Sequence, residues 1–505
     1  MDTWTLVRDG FIMMTQPANF GMMFLGVVIG IVAGSIPGLS ANNTTAMLLP
    51  VTLFFPVETA LIFIGAVYMA AQYGGSISAI LINTPGASGA IATTLDGFPL
   101  CRQGRAGYAM GLSLGASAVG GIIATIIVIA IMKPISRYAL EFGTAELFLL
   151  ALLGIAIIVS ISEKEPIKGG LAGAMGLLIA AMPAEPTFGR VRLSFGFFEL
   201  YDGIPMVAAM CGFFAFPAMV SLVGEKLIST SGKENAQVGV KGILAGIVDV
   251  FKYPVNLIRS TFIGLFVGIL PGAGVNAAAL MAYSQAQTWS KNSAKFGDGE
   301  PEGVIAPEAA NNAVAAGALV PAVTLGIPGS ATTAVLLAAL SIKGINPGPK
   351  VMQNFTTQIY SLFVAVFFAT ILMFIVGFFY TAICSKLSSV NMAYMIPAVM
   401  AVCAVGTFAT RGMMFDVFLF LIFGVIGYIM VQSGFMYTPL VLGIVMGKIA
   451  EDNFSIAIKI SGGSAGIFFS STICIVIWAL LVVALVGPPL LKRMRERKEA
   501  ASAGK

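Results

Sequence analysis

Gly74–Gly97 reads GGSISAILINTPGASGAIATTLDG, and Gly317–Leu340 reads GALVPAVTLGIPGSATTAVLLAAL. Each is a short apolar run, a Pro-Gly break, and then a segment of Ala, Ser and Thr. Pro85-Gly86 falls on Pro328-Gly329 at an offset of 243 residues. Proline removes a backbone donor and crowds the preceding turn, and glycine loosens the backbone beyond it. In lipid, an opened backbone survives only where protein or a wet cavity satisfies the freed groups. Paired interrupted segments in corresponding halves point to the substrate site of a transporter. The spacing predicts an all-α polytopic membrane protein with a helical hairpin in each of two homologous halves.

A second element repeats beside the first. Gly26, Gly30, Gly34 and Gly38 form a stripe four residues apart, which reads as a helix-packing face. The stripe ends in a Pro37-Gly38 break followed by Ser40, Asn42 and Asn43. Its echo is GLFVGILPGAGVN, Gly264 to Asn276. Gly30, Gly34, Pro37, Gly38 and Asn42 fall on Gly264, Gly268, Pro271, Gly272 and Asn276 at an offset of 234. Two ordered elements at nearly equal offsets imply an internal duplication. The expected halves are 1–235, with a broken helix near 37 and a hairpin near 85, and 236–505, with a broken helix near 271 and a hairpin near 328. Parallel and inverted arrangements both stay open.

Composition supports the membrane reading independently. Hydrophobic residues make up 58% of the chain and charged residues 10%, with a mean hydropathy of +0.94, whereas soluble domains carry about 25% charged residues. The length of 505 residues leaves room for about 10–14 spans of roughly 20 residues each. Histidine is absent, which excludes His-based metal sites, Ser-His-Asp triads and His proton relays within this chain. Five cysteines (101, 211, 384, 403 and 474) lack CxxC spacing and read as small buried apolar residues. The net charge of +5 resides largely in loops and the tail, so it speaks to topology and not to nucleic acid. The basic tail 492–505 predicts a cytoplasmic C-terminus by the positive-inside rule.

Further apolar runs fall at about 107–132, 145–161, 169–183, 203–223, 357–384, 391–408, 412–432, 437–447 and 464–490. The short, glycine-rich run 169–183 is expected to pack inside protein. The polar stretch 224–242 separates the halves, and Ile243–Arg259 reads as an amphipathic stretch at the membrane interface.

At these motifs the chain resembles the large membrane subunit of the tripartite tricarboxylate transporter family. The matching stretches are GSIPGLSANNTTAMLLP (34–50), QYGGSISAILINTPG (72–86), LDGFPLCRQGRAGYAMG (95–111), FIGLFVGILPGAGVNAA (262–278), EGVIAPEAANNAVAAGALVPAVTLGIPGSATTAVLLAAL (302–340) and NPGP (346–349). The resemblance implies a secondary carrier of the bacterial cytoplasmic (inner) membrane that imports carboxylates on an ion gradient. It also implies two partners, a small membrane subunit and a soluble periplasmic solute-binding protein. The main departure is Ala87, where many relatives carry an acidic residue after the Pro-Gly.

A carboxylate that leaves water needs compensation, and helix N-termini offer unpartnered N–H groups and partial positive charge. The expected substrate residues are therefore Gly38, Ser40, Pro85, Gly86 and Ser88, with Pro328, Gly329, Ser330, Thr332 and Thr333. Thr93 and Thr94 add hydroxyls, although a helical hydroxyl commonly bonds back to its own preceding turn. A coupling cation needs oxygen ligands. The unwound carbonyls at Asn83-Thr84 and Gly326-Ile327 fit, as do the amides of Asn42, Asn43, Asn276, Asn311 and Asn312. Glu308 and Asp96 are the acidic residues nearest the repeats, and an ionisable group at membrane depth is a functional candidate. This chemistry suits Na+, with a proton on Glu308 or Asp96 as the alternative and no other cofactor. Two rival readings are an autonomous carrier or channel without a soluble receptor, and an intramembrane aspartyl protease. The protease would use Leu200-Tyr201-Asp202 but lacks a Gly-x-Gly-Asp partner, since Asp298 follows Phe296-Gly297.

Overall fold

The computed structural model describes residues 3–161, 166–183, 189–223, 238–270, 274–384 and 392–485. The Pro271-Gly272 break, the boundary at 235/236 and the basic tail 492–505 lie outside the described residues. Among the described residues every regular element is helical. In chain order these include α1 (Thr3–Met14), α2 (Pro17–Gly34), α3 (Ala41–Leu48), α4 (Val57–Ile82), α5 (Ile91–Arg102), α6 (Ala106–Ala139), α7 (Thr144–Ile161) and α8 (Pro166–Ala180). After them come α9 (Met206–Met210), α10 (Phe216–Ser221), α11 (Val240–Val250), α12 (Pro254–Ile269), α13 (Gly274–Trp289), α14 (Pro301–Leu325) and α15 (Ala331–Ile342). The last are α16 (Val351–Asn354), α17 (Thr356–Cys384), α18 (Met392–Arg411), α19 (Met414–Gln432) and α20 (Tyr437–Ile460).

Six helices are long and apolar enough to cross a membrane by length and composition: α2, α4, α6, α17 (through Ile383), α18 (from Tyr394) and α19. Shorter apolar helices accompany them, among them α12, α15 and Thr472–Leu485. The helices sort into two compact units. One comprises the described parts of Met1–Arg137 and Pro205–Ile429, the other those of Tyr138–Ile204 and Met430–Lys505. Each unit draws residues from both sides of position 235.

The larger unit is organised around α4 and α14. Every residue of α4 from Thr59 to Ile80 is buried, as is every residue of α14 from Gly303 to Thr324. The two helices end alike, one at Ile82 and one at Leu325, which are 243 residues apart. Asn83 (φ 57°) and Gly326 (φ 74°) close them in the left-handed region, which only glycine and small polar residues enter readily. Pro85 and Pro328 stand two residues beyond and block any continuation. Ser330 then restarts the chain as α15 through a capping box with Thr333.

Glycine lets α2 and α12 reach these two helices. A Cβ at Gly30 would lie 2.8 Å from both the Ala70 Cβ and the Val67 carbonyl oxygen. Gly34 abuts Ala71, and Gly74 abuts Ile31 and Gly34. Between α12 and α14 Gly264 abuts Ala310, Gly268 abuts Val314, and Gly317 abuts Leu265 and Gly268. The two sets are the same contacts, displaced by 234 residues on the glycine helix and by 243 on its partner. The hairpin tips dock alike, Gly86 on Gly34 and Gly75, Gly329 on Gly268 and Ala318. The helices after the first breaks then cross over. α3 packs against α15, while α13 packs against α5 and the 3-10 turn Ser88–Ala90.

Two expectations change. The amphipathic stretch 243–259 is divided, because Pro254 lacks an N–H and opens α12 as a new helix. α11 docks through Gly246 on Tyr108 and Leu112, with Leu244, Val248 and Phe251 exposed. In the smaller unit the glycine-rich helix α8 is enclosed on one face only. Gly176 abuts Leu440 and Gly443 of α20, whereas Ile167, Leu171 and Leu178 are exposed.

Candidate functional site

The second hairpin tip gathers hydroxyls. Ser330 Oγ lies 3.2 Å from the Tyr68 hydroxyl of α4, and the Thr332 hydroxyl donates to Asn42 Oδ1 of α3. Thr333 is engaged locally, since its Oγ1 accepts from the Ser330 N–H at 2.8 Å and its own N–H donates to Ser330 Oγ at 3.2 Å. Pro328, Gly329 and Gly326 are buried behind the tip. Three elements thus meet where α15 begins, the tip, α3 and α4, and a short segment leads into α3. In that leading segment Gly38 turns at φ 85°, Asn43 Nδ2 donates to the Gly38 carbonyl at 2.9 Å, and Ser40 caps α3. A π-helical turn, Cys211–Ala215, backs α3, with Cys211 Sγ 3.4 Å from the Ala46 carbonyl oxygen.

The first tip is chemically different. Ser88, Asn83 and Thr84 are exposed, and Pro85 is half-buried. The buried tip residues are Gly86, Ala87, Gly89 and Ala90. Gly89 faces Val275 of α13 and Asn311 of α14, and a Cβ there would run into Asn311 Oδ1. One turn before Asn311, Glu308 accepts hydrogen bonds from Thr93 Oγ1 at 2.5 Å and Ser117 Oγ at 2.9 Å. Ser113 lies beside the same carboxylate and pairs with Ser76 of α4 at 2.6 Å. Asn311 Nδ2 donates to the Gln72 carbonyl at 3.2 Å, and Asn312 Nδ2 to the Met69 carbonyl at 3.4 Å. The Oδ1 atoms of both asparagines are buried and accept no hydrogen bond from the described residues.

Asp96 stands apart from both clusters. Its Oδ1 accepts from the backbone N–H groups of Gly297 and Gly299, each at 2.9 Å, and of Glu300 at 2.8 Å. Tyr283 donates to Oδ2 at 2.8 Å. Gly297 (φ 95°) and Gly299 (φ 99°) supply the left-handed backbone that turns these N–H groups onto one oxygen. The carboxylate fastens α5 to the loop ahead of α14.

Of the residues singled out in the sequence, Asn42, Ser330, Thr332 and Thr333 come together, as do Glu308, Thr93 and Asn311. Asn83, Thr84, Ser88 and Asn276 are exposed and join neither group, and Thr94 bonds back to the Ile91 carbonyl at 2.6 Å. Tyr68, Ser113, Ser117 and Tyr283 escaped the sequence reading. They lie within unbroken apolar helices, and only the four-residue spacing of Ser113 and Ser117 hints at a shared polar face. Asp202 and Asp298 are both exposed, which leaves no buried acid at the protease-like motif.

Comparison with known proteins gives the family. Residues 20–442 match the family described as "Tripartite tricarboxylate transporter TctA family". A protein of Agrobacterium vitis, "Uncharacterized 52.8 kDa protein in TAR-I ttuC' 3'region", is 32% identical over 504 residues, covering 99% of this chain and 98% of that relative. A second from the same organism, "Uncharacterized protein in TAR-II ttuC' 3'region", is 30% identical over 236 residues, which is 47% of this chain and 97% of the relative. No solved structure matches significantly. With its multi-pass helices and a match over most of its length, the chain belongs to the tripartite tricarboxylate transporter TctA family, a family of transporters and not of enzymes.

Proposed function

We propose that this chain is the large membrane subunit of an importer for tricarboxylates or related organic acids in the bacterial cytoplasmic membrane. It is a secondary carrier driven by an ion gradient, with its C-terminus on the cytoplasmic side. A periplasmic solute-binding protein delivers the substrate, and a small membrane subunit completes the assembly. Its two halves are homologous, as the displaced glycine contacts of α2–α4 and α12–α14 support.

The observation that carries the reading is the second hairpin tip. Ser330, Thr332, Tyr68 and the N-terminal end of a 12-residue helix converge there, and no carboxylate of the described residues hydrogen-bonds to them. Such a tip attracts an anion through hydroxyl donors and the helix dipole. An arriving carboxylate can replace the Asn42 amide oxygen as acceptor for Thr332, which would release α3 from α15. Uptake of radiolabelled citrate-like acids into proteoliposomes, with and without the binding protein and the small subunit, tests the proposal. Uptake should require both partners and an ion gradient. Full uptake by this chain alone would favour an autonomous carrier, and no uptake of any carboxylate by the complete assembly would refute the importer.

A further inference from the structure

Among the described residues, three acidic side chains of the larger unit have no solvent exposure: Asp96, Glu308 and Asp416. A buried carboxylate is costly unless its charge is compensated. Asp96 has three backbone N–H groups and a tyrosine. Asp416 has the Arg411 guanidinium. Glu308 has only neutral hydroxyls, from Thr93 and Ser117 with Ser113 beside them, and among the described residues no cation or backbone N–H reaches it. Among those residues it lacks a positive partner.

The two neighbouring amides identify what kind of partner is missing. Asn311 and Asn312 each point Nδ2 at a carbonyl of α4, which fixes the amide orientation and turns Oδ1 away. Both Oδ1 atoms are buried acceptors without a donor among the described residues. Positions three and four residues beyond Glu308 share its face of the helix. A proton would neutralise Glu308 and leave both amide oxygens unmatched, whereas a hard cation takes carboxylate, amide and hydroxyl oxygens alike. The repeat supplies a second, independent contrast. Subtracting 243 places Glu308, Asn311 and Asn312 on Gly65, Tyr68 and Met69, and places Ser330, Thr332 and Thr333 on Ala87, Gly89 and Ala90. Neither the carboxylate nor the two amides has an equivalent at its counterpart position, where a glycine, a tyrosine and a methionine stand.

We infer that the two related sites have diverged in charge: Glu308, Asn311 and Asn312, behind the first hairpin tip, bind a single Na+, and the second tip has no equivalent cation site. This rests on the importer reading and departs from a symmetric pair of sodium sites. The test uses the full-length protein in nanodiscs, with Na+ binding followed by thermal shift and by radiolabelled Na+ against a choline background. One Na+ per chain is expected. Glu308→Gln and Asn311→Ala should weaken binding at least tenfold, and Gly89→Ala, which sets a methyl group against Asn311 Oδ1, should weaken it as well. Thr332→Val should leave it unchanged. Melting in choline identifies any variant that has simply lost its fold, and Gly89→Ala removes none of the proposed ligands while displacing the Asn311 amide. Two sodium ions per chain, no sodium binding, or unaltered affinity in folded Glu308→Gln and Gly89→Ala would overturn the inference. Carboxylate uptake that follows a proton gradient alone would do so too while leaving the importer intact, and only the absence of uptake by the complete assembly would remove the importer.

Discussion

Replacing Asp96 with asparagine isolates the clasp between α5 and the loop ahead of α14. Three backbone N–H groups converge on one charged oxygen at 2.8–2.9 Å. Asparagine keeps an oxygen in place but removes the charge, and charge-assisted hydrogen bonds are about twice as strong as neutral ones, a loss of about 1 kcal/mol per bond. Because the three donors share one acceptor, the summed cost is about 2–3 kcal/mol, which corresponds to roughly 30- to 150-fold more opening of the loop. Hydrogen exchange resolved over residues 296–303 reads that opening directly. The amides of Gly297, Gly299 and Glu300 should exchange faster by that factor, and those of Val304 to Asn312 in buried α14 should not change. The sodium dependence of uptake should also be unaltered, because every lone pair of Asp96 that faces a partner is already used by a protein donor. Unchanged exchange in 296–303 would refute the clasp, and a raised sodium requirement would return Asp96 to the ion site.

Three further outcomes are expected. Gly30→Leu and Gly264→Leu should each reduce folded, monodisperse protein in size-exclusion chromatography, by a cost on the order of 3 kcal/mol or more, whereas Gly21→Leu, with open space around it, should not. Thr332→Val and Tyr68→Phe should raise the carboxylate concentration for half-maximal uptake severalfold and leave substrate loading of the soluble receptor untouched, as binding to the isolated receptor will show. Ser117→Ala removes one of the hydroxyls on Glu308 and should lower sodium affinity less than Glu308→Gln does, a ranking that sodium titration of uptake can reverse.

The breaks and the glycine faces were legible because they are local. A proline with its glycine, or glycines spaced by four, constrain the backbone wherever they occur, so Pro85, Pro328, Gly30 and Gly264 announce themselves. The roles of the acids were not. Asp96 and Glu308 are both carboxylates near a repeat, and the difference between them is made by partners more than 180 residues away, Gly297 to Glu300 for one and Thr93 and Ser117 for the other. The crossing of α3 onto α15 is likewise tertiary. It gives Asn42 a hydroxyl partner 290 residues away, Thr332, and leaves Asn276, which follows the other break at the same spacing, exposed. Asparagine at a break does not by itself reveal which of these it will become.

The burial of α14 bears on how the protein is made. A segment with Pro307, Glu308, Asn311, Asn312 and Pro321 in its interior is a poor substrate for insertion on its own, since an acidic side chain at the centre of a span costs about 3 kcal/mol at the translocon. The helices that cover it are largely made earlier: α4, α5, α6 and α12 precede it in the chain, and α17 comes after. During synthesis the ribosome therefore delivers α14 to neighbours already made, and Gly264 and Gly268 of α12 are ready to receive it. Insertion of this helix is an act of docking, so damage to those two glycines should appear as failed biogenesis before it appears as failed transport.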